Sequence, residues 1–148
     1  MTYEELIAAT AAKIGLEGFA PDDDGVCVLQ SDVGEIAILK CTDPLDCVLL
    51  NASVADVPAA ADAALLAALK SNNGFIDMHG ATLTVDAEPN RFELSQYAFL
   101  ADLDADSFVA IIERFAASLV DMRKKIEGAK VLKLFAPRSG EGFHGVTK

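Results

Sequence analysis

The sequence predicts an α+β domain with the element order αβββαββα, a twisted antiparallel sheet flanked by helices. Three observations carry this expectation. An amphipathic helix with recognisable caps stands at each end. Three apolar runs follow the first helix, joined by links too short for crossover helices. An alanine-rich helix then leads into a hairpin whose first strand alternates cleanly.

Taken in order, Thr2 followed by Glu5 makes a capping box, and Tyr3, Leu6, Ile7, Thr10, Ala11 and Ile14 recur at three- and four-residue steps up to Gly15. A helix over 2–14 results. After "PDDDG" come the strand-like runs 26–31, 35–41 and 45–54, which short turns link into a meander. Val26 and Val28 oppose Cys27 and Leu29, so both sheet faces are apolar, and both are expected to be covered. Pro58 opens a second helix carrying Leu65, Leu66 and Leu69, whose alanines permit close approach and which "SNNG" at 71–74 stops. In "ATLTVD" (81–86), Ala81, Leu83 and Val85 alternate with Thr82, Thr84 and Asp86, and "RFELSQY" (91–97) returns after "AEPN". The last helix spans about 104–127 and Gly128 ends it, leaving 129–148 as a basic, flexible tail.

The 148 residues suit one domain, 1–128, with a hydrophobic core of its own. At 52% apolar residues and a mean hydropathy of +0.31, the chain carries more apolar surface than a monomer of this size readily hides, so part of it is expected to meet another protein. No membrane insertion is expected: the longest apolar stretch, "AAADAALLAAL", is short and broken by Asp62. The acidic start "MTYEEL" argues against a secretory signal. Residues 1–128 hold 22 acids against 8 bases, a charge of −14, whereas 129–148 hold 1 against 4. So acidic a body repels a phosphate backbone, which makes nucleic acid a poor partner and a basic protein segment a good one. Within that tail, "KVLKLFAPR" (130–138) mixes apolar and cationic residues and resembles such a segment.

Residues that carry chemistry are scarce. Cys27, Cys41 and Cys47 form no CxxC pair, and their odd number argues for buried thiols in a reducing cytoplasm rather than a disulfide framework or a zinc site. His79 lies near a turn and His144 in the glycine-rich tail, neither with a partner in sequence. There is no phosphate-cradling glycine loop and no GxSxG, and Asp22, Asp23 and Asp24 read as a solvated turn. No enzyme, cofactor or metal site is expected.

The stretches "GVCVLQSDVGEIAIL", "LLAALKSNNGF", "GATLTVD", "FELSQYAFLADLDADSF" and "IIERFAASLVDMRKKI", in this order and in an acidic chain of this size, resemble the class I chaperones of type III secretion, the Tir-chaperone (CesT-like) family. The resemblance covers residues 1 to about 127, and the tail has no counterpart in it. It implies a homodimer in the bacterial cytoplasm that holds the N-terminal chaperone-binding segment of a secreted effector extended and export-competent, without nucleotide hydrolysis. It also leaves open a contact with the secretion ATPase. The dimer seam it implies maps onto Leu65, Leu66, Leu69, Leu83 and Val85. The effector surface maps onto Leu6, Ile7, Ile14, Phe19, Val28, Ile36, Ile38, Val48 and Leu50, of which about half are expected to fill the core, since each helix and strand has one inward face. Two other functions compete. A stand-alone adaptor or regulator of this fold would lack a secreted client, and a small-molecule enzyme or binding domain would need convergent polar groups in a pocket.

One window invites a different reading. "DLDADSFVAIIE" (102–113) places acids at its first, third, fifth and twelfth positions, as an EF-hand loop does, but Ser107 stands where that loop needs glycine. Phe108, Ile111, Ile112, Phe115, Leu119, Met122 and Ile126 lie on one helical face, so the helix starts inside the supposed loop and carries Glu113 more than a turn away from Asp102. Asp104 or Asp106 is read as a helix cap. Titrating calcium to millimolar concentration is therefore expected to give no saturable rise in melting temperature, because a ligand that binds only the native state must raise it. A rise abolished by Glu113→Gln would contradict the cap reading.

Overall fold

The computed structural model describes residues 1–43, 45–59, 62–72 and 79–135, with 129–135 as backbone alone. Its elements are α1 (Tyr3–Ile14), β1 (Val26–Ser31), β2 (Gly34–Cys41), β3 (Cys47–Asp56), α2 (Asp62–Ser71), β4 (Thr82–Asp86), β5 (Arg91–Phe99) and α3 (Ala105–Phe135), the αβββαββα order of the sequence. The strands form one antiparallel sheet in the order β1-β2-β3-β5-β4.

The capping box of α1 is reciprocal: Thr2 Oγ1 accepts from the Glu5 N–H at 3.1 Å, and Glu5 Oε2 accepts from the Thr2 N–H at 2.7 Å. Gly15 closes the helix at φ +73°, a conformation glycine adopts without a Cβ clash. The acidic window resolves in the same way. Asp104 Oδ1 accepts from the Ser107 N–H at 2.8 Å while Ser107 Oγ accepts from the Asp104 N–H at 3.0 Å. The Ser107 bond holds the Asp104 carboxyl below the usual carboxylate range. Asp22 works comparably in the acidic turn, its Oδ1 accepting from the N–H groups of Asp24 and Val26, each at 2.9 Å.

Register settles which strand residues point inward. Cys27 and Leu29 pair with Ile38 and Ile36, Leu50 stands opposite Ile38, and Ala52 opposite Leu94. This face, with Val48 and Phe92, meets Tyr3, Leu6 and Ile7 of α1, Ala64 and Ala68 of α2, and the α3 stripe Phe108, Ile112, Phe115, Leu119, Met122 and Ile126 in one core. Burying each large apolar side chain there contributes about 1.5–3 kcal/mol. At the split between β2 and the bulge in β3, Arg123 of α3 donates to the carbonyls of Val33 and Ser53, the latter at 3.0 Å. A Cβ on Gly34 would come within 3.3 Å of that guanidinium.

Three expectations need correction. All three helices pack on the inner face, so among the described residues the outer sheet face has no helix over it. The second helix begins at Asp62, not at Pro58, which lies in the coil after β3; 60 and 61 are outside the described residues. Gly128 does not end α3, which runs on to Phe135. An interior glycine costs a helix only about 1 kcal/mol, and Glu127, Ala129 and Lys130 beside it are good helix formers. The second helix stops at Ser71, the first residue of "SNNG"; residues 73–78 and 136–148, with the second half of that signal and most of the tail, lie outside the described residues.

Tyr3 ties α1 to the sheet. Its hydroxyl donates toward the carbonyls of Gly25 (2.9 Å) and Ile38 (3.1 Å) and lies 3.7 Å from Cys27 Sγ. Burial pushes the Tyr3 hydroxyl far above its ordinary value, with the Cys27 contact acting the same way, and burial raises the Cys27 thiol too. Groups whose pKa is raised by folding contribute full stability below the unfolded values, about 8.5 for Cys and about 10 for Tyr, and lose it as pH rises above them. Urea melts from pH 7 to 11 are expected to show stability falling along this alkaline limb. In Tyr3→Phe the fall above pH 10 becomes shallower, while stability at pH 7 drops by about 1–2 kcal/mol for the carbonyls left unpaired. An unchanged alkaline slope would contradict this role.

Candidate functional site

Among the described residues, two apolar surfaces outside the core stand out. The first is the outward side of α2. This helix turns its small residues, Ala64, Ala68 and Ser71, inward and its leucines outward, with Leu66 52% and Leu69 69% exposed. The small inward side lets α2 lie close against α3 and beside β4. Asn72 fixes that placement: its Nδ2 donates to the Leu83 carbonyl and its Oδ1 accepts from the Leu83 N–H, both at 2.8 Å. The amide thus takes the place of a neighbouring strand on the outer edge of β4, a device that blunts an edge against unwanted pairing.

The second surface is the outer sheet face. Val26, Leu39, Leu49 and Tyr97 stand in one cross-strand row, and Cys41, Cys47 and Phe99 in the row beside it. Tyr97 is 64% exposed, Phe99 52% and Val28 47%. Toward the bulge the face turns polar. Asn51 Nδ2 donates to Ser95 Oγ at 2.9 Å, Arg91 Nε donates to Asp56 Oδ1 at 3.1 Å, and burial raises the Glu93 carboxyl. Beyond Phe99 a notch of about 610 Å³ is lined by Met1, Leu45, Asp46, Leu100, Ala101 and Asp102.

The two sheet edges differ. Asn72 occupies the β4 edge, whereas β1 is the terminal strand at the other, with no strand beside it among the described residues. The main-chain groups of Val26 turn away from β2 and are satisfied by Asp22, whose N–H donates to the Val26 carbonyl at 2.9 Å. Strand alternation points those of Val28 and Gln30 the same way, outward. Among the described residues no cluster of three or more His, Cys, Asp or Glu could hold a metal ion, and no helix is long and apolar enough to cross a membrane. His79 sits exposed in a turn at φ 51°.

The Tir chaperone protein (CesT) family model matches residues 5–123. The chain belongs to the Tir chaperone (CesT) family. No curated protein matches it. Among solved structures, the chain is similar to one in the HopA1–SchA chaperone–effector complex, at 19% identity over 84% of this chain and 93% of that one, with a TM-score of 0.63. It is similar to a chain of the ExsC–ExsE complex at 20% identity, covering 92% and 94% of the two chains, with a TM-score of 0.63. A third similarity is to a chain of the ExoU–SpcU complex from the type III secretion system of Pseudomonas aeruginosa, at 20% identity over 81% and 93%, with a TM-score of 0.62. These likenesses establish the fold, an α+β chaperone architecture.

Of the residues that the resemblance assigned to a seam in this Tir chaperone family member, Leu65, Leu66, Leu69 and Val85 are exposed, and Asn72 ties their two elements together. Leu83 is not on that surface; its side chain is in the core. Of the effector-surface residues, Leu6, Ile7, Ile36, Ile38, Val48 and Leu50 are completely buried. They face α3 or the inner sheet and are out of reach of any partner of the folded chain. Ile14 and Val28 are exposed and Phe19 is partly buried. Sequence reasoning missed Tyr97, Phe99, Leu39, Leu49 and Leu45. A signal for two of them existed: Phe92 and Leu94 have one strand parity, Tyr97 and Phe99 the other, so β5 is apolar inward at one end and outward at the other.

Proposed function

We propose that the protein is a cytoplasmic type III secretion chaperone that acts as a homodimer, holds the N-terminal segment of a secreted effector extended, and catalyses no reaction on it. The observation that carries this reading is that, among the described residues, no helix covers the outer sheet face and no strand pairs with the β1 edge, in a chain of the Tir chaperone family. An extended segment pairing with Val28 and Gln30 would satisfy their main-chain groups, and its alternate side chains would reach the outer face. The charge of −14 over residues 1–128 favours a basic segment. The exposed leucines of α2 and Val85 form the seam with the second copy, which leaves the outer face free for the client.

Two measurements test the reading. Leu69 is exposed in the protomer, so Leu69→Asp is expected to leave the fold intact while burying a charge at the seam, which weakens dimerisation by about 2–4 kcal/mol or more. Light scattering at micromolar concentration then gives a dimer for the wild type and a monomer for the variant; a monomeric wild type contradicts the seam. Protein isolated from its native cell is expected to carry a secreted protein bound through its N-terminal segment. Tyr97→Asp is expected to weaken that complex at least about tenfold, corresponding to about 1.4 kcal/mol. Unchanged affinity in Tyr97→Asp would remove the outer face from the account.

A further inference from the structure

Cys41 is the last residue of β2 and Cys47 the first of β3, and the register sets them directly opposite one another across the hairpin end. Both are free thiols on the outer face, Cys41 partly exposed and Cys47 buried. Their separation follows from the hydrogen-bonding pattern. Ser31 and Gly34 close the β1–β2 turn as a pair, and the Lys40 N–H turns toward the Gly25 carbonyl at 3.4 Å. Residues 34, 36, 38 and 40 therefore direct their main chain toward β1, and 37, 39 and 41 toward β3. Cys41 and Cys47 thus form a narrow, hydrogen-bonded pair with Cα atoms about 5.5 Å apart, within the range that disulfides span. The Cβ atoms of such a pair start slightly wider than a disulfide prefers, so the bond must draw two strand ends together. A bond formed under such constraint is easily reduced.

We propose that Cys41 and Cys47 are a reversible thiol–disulfide pair that responds to low-molecular-weight disulfides of the glutathione class. The more accessible Cys41 thiolate attacks one sulfur of oxidised glutathione, forming a mixed disulfide and releasing one glutathione thiolate. The Cys47 thiolate then attacks the Cys41 sulfur and expels the second. The two cysteines lose two electrons, one glutathione disulfide becomes two thiols, and the protons released by Cys41 and Cys47 are taken up by the departing thiolates. Cys27 takes no part, because it lies on the inner face against the Tyr3 hydroxyl.

The pair is placed to act on the outer face. Cys47 stands opposite Phe99, and the connection 42–46 carries Leu45 and Asp46, two walls of the notch beyond Phe99. The Asp46 carbonyl accepts from the Leu100 N–H at 3.0 Å, which couples that connection to the opposite wall. Closing the disulfide fixes the hairpin end that frames the notch.

The experiment uses the full chain and oxidised glutathione itself, followed by alkylation without denaturant and intact-mass and peptide analysis. The expected product is lighter than the reduced chain by two hydrogens, contains a Cys41–Cys47 linkage, and reopens under excess reduced glutathione without unfolding. In Cys47→Ser the reaction stops at a glutathione adduct on Cys41, whereas Cys41→Ser gives no adduct at Cys47 on the same timescale. A wild type that ends as glutathione adducts, as chains cross-linked to one another, or with its thiols unchanged would overturn the proposal.

Discussion

A sheet has two faces, and this chain has helices for one of them. α1, α2 and α3 all join the same core on the inner side, where Tyr3, Phe92, Phe108 and Phe115 are fully buried. Nothing among the described residues covers the row of Val26, Leu39, Leu49 and Tyr97 on the other side. Apolar area left in water forgoes roughly 25 cal/mol per Å², and an exposed apolar patch of this kind marks a surface built to meet another molecule. The surplus of apolar residues in the composition and the uncovered face are therefore one fact seen at two levels.

The same logic governs α2. An amphipathic helix normally turns its large side chains to the core, and α2 does the reverse, with Ala64, Ala68 and Ser71 inside and Leu65, Leu66 and Leu69 outside. The arrangement holds because Asn72 bonds both main-chain groups of Leu83, so placement does not depend on the leucines. One sheet edge is thereby closed, and among the described residues no strand pairs with the other. In the function proposed here α2 serves the protein's own copy and the outer face an extended client, so the two do not compete.

Much of the fold was legible because its signals are local. The Thr2–Glu5 box, the Asp104 cap, the meander and the β4–β5 hairpin all depend on residues within a few positions of one another. Strand parity is a different matter. Val26, Cys27, Val28 and Leu29 are all apolar, and only pairing with β2 decides that Cys27 and Leu29 are core and Val28 is surface. For this reason the mapped effector surface mixed Val28 with Ile36 and Ile38, which belong to the opposite face. On α2 the leucines were assigned outward by resemblance, and the burial of the alanines gives the physical reason. Gly128 was misread because a glycine ends a helix only where its neighbours offer no reason to continue it.

Backbone amide hydrogen exchange, read with and without a bound effector segment, tests most directly where the two partners sit. α2 is expected to be protected in both states at concentrations where the dimer persists, and its exchange to quicken on dilution. New protection is expected at Val28 and Gln30 of β1 only when the segment is bound, because those main-chain groups then acquire a strand partner. New protection on α2 with none on β1 would place the client at the seam instead, and would contradict the division of the surface described here.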